Sequence, residues 1–201
     1  MNESSPALCY LRKRKLSPGK PKRLFFLGIK HSGKSSAAWR SSFSLGWEYR
    51  DSDETILSFA GNTYPSVREF YRRAGKDLFM KTEYQAVSSL LEIPEDLCAA
   101  LGGGACDNPE LMELCRSSGI LLFLDTPPLQ VYERIMEGGL PPFLSSDDPW
   151  GSFLKLYDRR SAAYREHADV QLKLGNASLD EVTAFLEHSL DAIIARYYGR
   201  K

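Results

Sequence analysis

Apolar residues gather into three nearly unbroken runs, Arg23-Leu-Phe-Phe-Leu27, Leu97-Cys-Ala-Ala-Leu101 and Ile120-Leu-Leu-Phe-Leu124. Short runs of this kind between turn formers read as strands buried on both faces, the pattern of a parallel sheet. Trp47-Glu-Tyr49 and Val170-Gln-Leu-Lys-Leu174 are shorter strand candidates. Between them the spacing turns helical: Ser35 to about Leu45, about Ser66 to Leu91 with a break near Gly75, and Pro109 to about Cys115, stopped by Gly119. A further helix is expected after Thr126, which reads as its cap with Pro127 and Pro128 in the first turn, ending near Gly138-Gly139. Another runs from about Trp150 to His167. The last opens on the capping-box pair Ser178 and Glu181 and carries Val182, Phe185, Leu186, Leu190 and Ile193 on one stripe. Strands separated by helices predict parallel βαβ units, hence a three-layer α/β fold that binds its ligand at the carboxyl ends of the strands.

Two segments lack a core-forming pattern. Residues 138–150 are rich in Gly, Pro, Ser and Asp and read as a surface flap. Residues 1–22 crowd Arg12, Lys13, Arg14, Lys15, Lys20 and Lys22 among prolines and serines and read as a mobile basic tail. Over the whole 201 residues the 26 basic and 26 acidic side chains balance, which argues against nucleic acid or an anionic membrane as the general partner. No apolar run approaches the ~20 residues that span a bilayer, and no signal-peptide core is present, so a soluble, cytoplasmic protein is expected. Cys9, Cys98, Cys106 and Cys115 show no metal or disulfide spacing and read as reduced thiols.

The chemistry begins directly after the first apolar run. Gly28-Ile29-Lys30-His31-Ser32-Gly33-Lys34-Ser35 fits G-x-x-x-x-G-K-[ST], a spacing that chance supplies in on the order of one chain in a hundred of this length. Strand, loop and helix follow in the order that a phosphate-binding loop requires. Gly28 and Gly33 let the backbone N–H groups curl around phosphates, Lys34 brings a point charge, and Ser35 offers a hydroxyl to Mg²⁺. The helix N-terminus at Ser35 and Ser36 faces the anion. A nucleoside triphosphate and Mg²⁺ are the expected ligands, with Lys30, His31 and Ser32 completing the loop. A carboxylate for the metal is the next need, and Asp51, Asp53 and Asp125 all end strands; periodicity does not choose among them.

The ordered set G-x-x-x-x-G-K-S (28–35), D-S-D (51–53), G-x-x-x-F-x-x-x-E (75–83), G-G-G (102–104), a flap, and R-x-x-x-Y followed by A-D (160–169) resembles the shikimate kinase family over nearly everything after residue 22. The resemblance implies a P-loop kinase fold with about five parallel strands, a helical substrate-binding region at about 55–92 and a lid at about 138–150. It implies transfer of the γ-phosphoryl of ATP to the 3-hydroxyl of shikimate, in aromatic amino-acid synthesis. By the same resemblance Ser35 and Asp51 serve Mg²⁺, Lys34 serves the phosphates, and Asp53 meets the acceptor hydroxyls and takes the reacting proton. Gly102, Gly103 and Gly104 approach the ring, Arg160 meets the substrate carboxylate, and Arg134 with the segment around Asn176 flanks the adenine.

Two positions depart from the family pattern. G-E-x-x-F-R-x-x-E places an arginine after the phenylalanine, where this chain has Met80, and the lid motif R-P-L-L is Pro141-Pro142-Phe143-Leu144. Both lost arginines handle anionic oxygen. Lys76, Lys81 and Arg159 are the candidate replacements on the substrate side, and Lys155 is the one cation between Arg134 and Arg159. The alternatives are a kinase for another small polyol or hydroxy acid, or a nucleotide-binding protein that engages a protein partner through its basic tail or flap. A GTPase would need an N-K-x-D motif and an adenylate-type kinase several lid arginines; the chain has neither.

Overall fold

The computed structural model describes residues 5–17, 19–141 and 143–199. Strand β1 spans Ala7–Tyr10 and β2 Arg23–Leu27; helix α1 (Lys34–Leu45) leads to β3 (Glu48–Asp51), and α2 (Ser52–Phe59) follows without a loop. Next come α3 (Val67–Leu90), β4 (Leu97–Ala100), a 3₁₀ turn at Ala105–Asp107 and α4 (Pro109–Ser118). The chain closes with β5 (Ile120–Asp125), α5 (Pro128–Met136), α6 (Pro149–His167), β6 (Val170–Lys173) and α7 (Leu179–Tyr198). The sheet runs in the order β1-β6-β5-β2-β4-β3, parallel except for β1.

The apolar runs behave as expected of strands with helices on both faces. Leu24 and Phe26 of β2 pack towards α1 and α7 with Leu122, Leu186 and Leu190, whereas Phe25 and Leu27 pack with Phe123, Leu111 and Tyr164 on the opposite face. Each face therefore has its own core, separated by one sheet thickness. A third, smaller cluster of Ile56, Phe70 and Ala86, with Tyr64 and Phe79 against it, holds α2 to α3. Its aromatic contacts, Tyr64 to Phe70 at 5.0 Å and Phe70 to Phe79 at 5.7 Å, bridge the break at Gly75, whose φ of 79° interrupts α3.

Four expectations are corrected. The 1–22 segment, as far as it is described, is not a free tail. β1 pairs antiparallel with β6 from Ala7 opposite Lys173 to Tyr10 opposite Val170, and adds a sixth, antiparallel edge strand to the five parallel strands that were expected. Leu16 is buried, and Arg14 is paired with the fully buried Asp169 while donating to the Arg116 (2.6 Å) and Gly119 (2.7 Å) carbonyls. Basic residues that look solvated in sequence are thus engaged with a buried carboxylate and peptide oxygens. Residues 1–4 and Pro18 lie outside the described residues.

Thr126 does not cap α5; its hydroxyl donates to the Ser32 carbonyl (3.0 Å), and Pro127 occupies the cap position. The flap contributes to the core, since Leu144 is only 6% exposed within it; Pro142 lies outside the described residues. Finally, the D-S-D stretch does not simply end a strand. Asp51 caps α2 and accepts the Asp53 backbone N–H (2.9 Å), so Asp53 sits in a helical first turn. The capping box at Ser178 and Glu181 is present as read.

Candidate active site

A cavity of about 1000 Å³ opens along the carboxyl ends of β2, β3 and β4. At one end lies the loop between β2 and α1. Gly28 adopts φ 149°, and a Cβ there would stand 2.7 Å from Ser32 Oγ and 3.0 Å from the Leu124 carbonyl, so both the turn and the space demand glycine. His31 (φ 66°) and Gly33 (φ 90°) take left-handed conformations that keep the backbone curling before α1 begins. Lys30, His31, Ser32, Gly33, Lys34, Ser35 and Ser36 all line the cavity.

Lys34 is buried and donates to the Ile29 carbonyl (2.9 Å). Burial lowers its ammonium to about 8, against the opposing pull of Asp53 and Asp51. His31 is likewise pushed down, first by burial and then by Lys30 and Lys34, which favours neutral imidazole near the phosphate site. The donor set fits a nucleotide phosphate chain: Ser32 Oγ is buried without a hydrogen-bond partner among the described residues, and a buried cation stands beside it at the N-terminus of α1. Ser35 Oγ donates to Asp51 Oδ2 (2.7 Å), which joins a hydroxyl and a carboxylate of the kind that hold Mg²⁺. Asp125 is engaged elsewhere, accepting from Gln171 and from the Tyr157 hydroxyl (3.3 Å), and does not line the cavity. Arg134 donates to the His31 carbonyl (3.0 Å) and lines the cavity with Leu174 and Ala177 on either side of Asn176.

The opposite end gathers residues from distant parts of the chain. Gly102, Gly103 and Gly104 follow β4, and each approaches a functional side of the cavity. A Cβ at Gly102 would lie 2.8 Å from Asp53 Oδ1, and one at Gly103 would lie 2.6 Å from the backbone nitrogen of Lys30. At Gly104 it would lie 3.1 Å from the Arg160 guanidinium. The triplet therefore lets this loop pass close to the Lys30 backbone and to the Asp53 and Arg160 side chains. Asp53 is exposed to the cavity; partial desolvation and then Asp51 raise its carboxyl, while Lys34 and Lys30 pull the other way.

Arg160, from α6, points into the cavity but is already engaged. Its Nη2 (2.8 Å) and Nε (3.2 Å) meet Asp107, and Nη1 donates to the Gly103 carbonyl (3.1 Å). Arg159 also pairs with Asp107 and does not line the cavity. Burial opposes ionisation of Asp107, but the two guanidiniums outweigh it and hold the carboxyl below its ordinary range. Of the suggested replacements for the missing arginines, Lys76 lines the cavity, whereas Arg159, Lys81 and Lys155 do not.

Several lining residues carry no signal in the sequence alone. Glu83 was visible only as the last letter of a motif, yet it is buried, accepts from Asn108 Nδ2 (2.9 Å) and is pushed up to about 7, chiefly by burial. Asn108 also donates to the Met80 carbonyl (3.0 Å), tying α3 to the loop after β4. Arg68 and Tyr71 reach the cavity from the first turns of α3.

This fold, with its P-loop at one end of the cavity, is that of a P-loop phosphotransferase of the small-molecule kinase type. The shikimate kinase family model matches residues 30–193, and the chain belongs to that family. A shikimate kinase from Halorhodospira halophila is 31% identical over 150 residues, 75% of this chain and 82% of that protein. Another, from Burkholderia lata, is 29% identical over 175 residues, 86% of this chain and 93% of that protein. Among solved structures, shikimate kinase from Acinetobacter baumannii in complex with shikimate shares the fold, with a TM-score of 0.73 at 22% identity over 87% of this chain and 94% of that one. No helix among the described residues is long and apolar enough to cross a membrane.

Proposed function

We propose that the chain transfers the γ-phosphoryl group of ATP to the 3-hydroxyl of shikimate. The observation that supports this most is the position of Asp53: a carboxylate with a raised affinity for protons, between Lys34 of the phosphate loop and the backbone of Gly102. Mg·ATP, when bound, supplies the electrophilic phosphorus and a counter-charge for its oxygens. Ser35 and Asp51 would hold the metal, and Gly28, Lys30, His31, Ser32, Gly33 and Ser36 would shape the phosphate cradle. Arg134 and the segment about Asn176 flank the base. Asp53 orients the acceptor hydroxyl and takes its proton as that oxygen bonds to phosphorus and the bond to the ADP oxygen breaks. Lys34 faces the charge that develops on the phosphoryl oxygens. Gly102, Gly103 and Gly104 bring peptide groups near the ring, and Arg160 adds positive charge on the side of the substrate carboxylate.

The test is release of ADP from Mg·ATP with and without shikimate, with Lys34→Ala as background. Shikimate-dependent ADP release is expected, and Asp53→Asn should lower kcat by about 10²- to 10⁴-fold while ADP binding persists. ADP release that does not respond to shikimate but does respond to another polyol or hydroxy acid would move the acceptor away from shikimate.

A further inference from the structure

The acceptor end of the cavity lacks one guanidinium at Met80, and a second, on Arg160, is bound up with Asp107. A carboxylate entering there would have to compete with Asp107 for Arg160, because two of that side chain's nitrogens already face the Asp107 oxygens. One other arginine reaches the same end. Arg68 stands in the first turn of α3, is exposed to the cavity, and has no carboxylate within 4 Å among the described residues. Its neighbours along the helix differ: Arg72 and Arg73 both pair with Glu69 and lie outside the cavity lining.

The Arg68 guanidinium lies over the ring of Phe143 in the flap, 5.5 Å from its centroid. An aromatic ring attracts a cation without supplying an oxygen acceptor, and among the described residues the Arg68 guanidinium donates no side-chain hydrogen bond, so its N–H groups are available to a planar acceptor. Phe143 thus restricts the side chain without consuming its donors, which lowers the entropy lost when an anion is gripped. The same contact joins the substrate-binding helix to the flap, so one residue touches both regions from which a family arginine is missing.

We propose that Arg68 is the specificity-determining residue that binds the carboxylate of the acceptor, in place of the arginine absent at Met80. This rests on the shikimate kinase reading above, and it assigns Arg160 a lesser share because of Asp107. The test compares shikimate with its methyl ester on the full chain, for the parent, Arg68→Gln, Lys76→Gln and Arg72→Gln, with Mg·ADP binding as the check on folding. Arg68→Gln should raise KM for shikimate about 10- to 100-fold with kcat within a few-fold, and should leave KM for the ester nearly unchanged. Arg72→Gln should match the parent.

Equal losses for acid and ester in Arg68→Gln, no loss at all, or a loss confined to Lys76→Gln overturns the assignment while the parent still uses shikimate. A fall in kcat with KM unchanged overturns it as well, and places Arg68 on the transferring phosphoryl group. A parent that does not respond to shikimate overturns the acceptor reading itself, and the carboxylate assignment with it.

Discussion

The two ends of the cavity are built in different ways. The nucleotide end is centred on one contiguous stretch, Gly28 to Ser36, with Asp51 and Arg134 beside it, and that stretch works mainly through backbone shape: three left-handed or glycine-only conformations and a helix N-terminus. The acceptor end is assembled from α2, both halves of α3, the loop after β4, the flap and α6. It works through side-chain charge, and those charges answer one another: Asp107 engages Arg160, Phe143 covers Arg68, and Asn108 holds Glu83. A backbone device tolerates little substitution, whereas a set of charges can be redistributed among neighbouring positions. That difference is consistent with a complete phosphate loop beside an acceptor end and a flap that each lack one arginine of the family pattern.

The contact between the ends is the sharpest place to break this comparison. Gly103→Ala would push a methyl against the Lys30 backbone, where neither side can yield without moving a functional loop. We expect kcat/KM to fall by at least about 10²-fold and stability to drop by about 1–3 kcal/mol, measured by turnover and urea unfolding. Activity close to the parent would mean that the two ends move independently.

A second test uses the raised carboxyl at the acceptor end. Glu83 is pushed up to about 7 in the folded chain from an ordinary 4.5, so the native state binds more protons than the unfolded state between those values. Stability contributed by the protonated form is therefore present at low pH and lost as pH rises from about 4.5 to 7, by up to about 3 kcal/mol. Glu83→Gln keeps an oxygen for Asn108 and should flatten unfolding free energy across that window, leaving the variant the more stable at pH 8. An unchanged pH profile would place the strain elsewhere.

The smallest expected effect lies at the nucleotide end and has the opposite sign of charge. Lys34 is lowered to about 8 without ligand, and phosphates restore its proton. Binding of Mg·ADP should then take up a proton at pH 9, and affinity should decline by up to tenfold per pH unit above 8. Calorimetry in buffers of different ionisation enthalpy reads the uptake directly. The folding contribution of Lys34 has the reverse slope: the unfolded chain binds the extra proton between about 8 and 10.5, so stability rises with pH across that window.

How far these features were legible follows the same division. The phosphate loop and the strands at Arg23–Leu27, Leu97–Ala100 and Ile120–Asp125 could be read locally, because a strand covered on both faces needs an apolar run and a phosphate cradle needs fixed spacing. Strand β1 could not, because Ala7-Leu-Cys-Tyr10 is a half-exposed edge whose partner lies far along the chain. Arg68 was hidden among Arg68, Arg72 and Arg73, which look alike in sequence and differ only in what faces them. Helical phase cannot be carried from Arg68 to Met80 either, since Gly75 breaks α3 between them with φ 79° and ψ 170°. The reassignment of Thr126 from a helix cap to a strut beneath Ser32 likewise needed the fold.

The pairing of β1 with β6 brings residues 7–16 against a segment more than 150 residues further along the chain. Leu16 N–H donates to the Tyr197 carbonyl (2.8 Å), and the Tyr197 hydroxyl donates back to Arg12 (3.1 Å) and Asp169 (2.9 Å). During synthesis, β1 has no partner until β6 and then α7 have followed it. At ordinary translation rates that interval is on the order of ten seconds or more, throughout which β1 is an unpaired edge and Arg14 has no Asp169 to meet. Strands β2, β4 and β5 are all complete before β6 is made, so the seam that β1 forms with β6 and α7 can close only after them and is a point of vulnerability for the nascent chain.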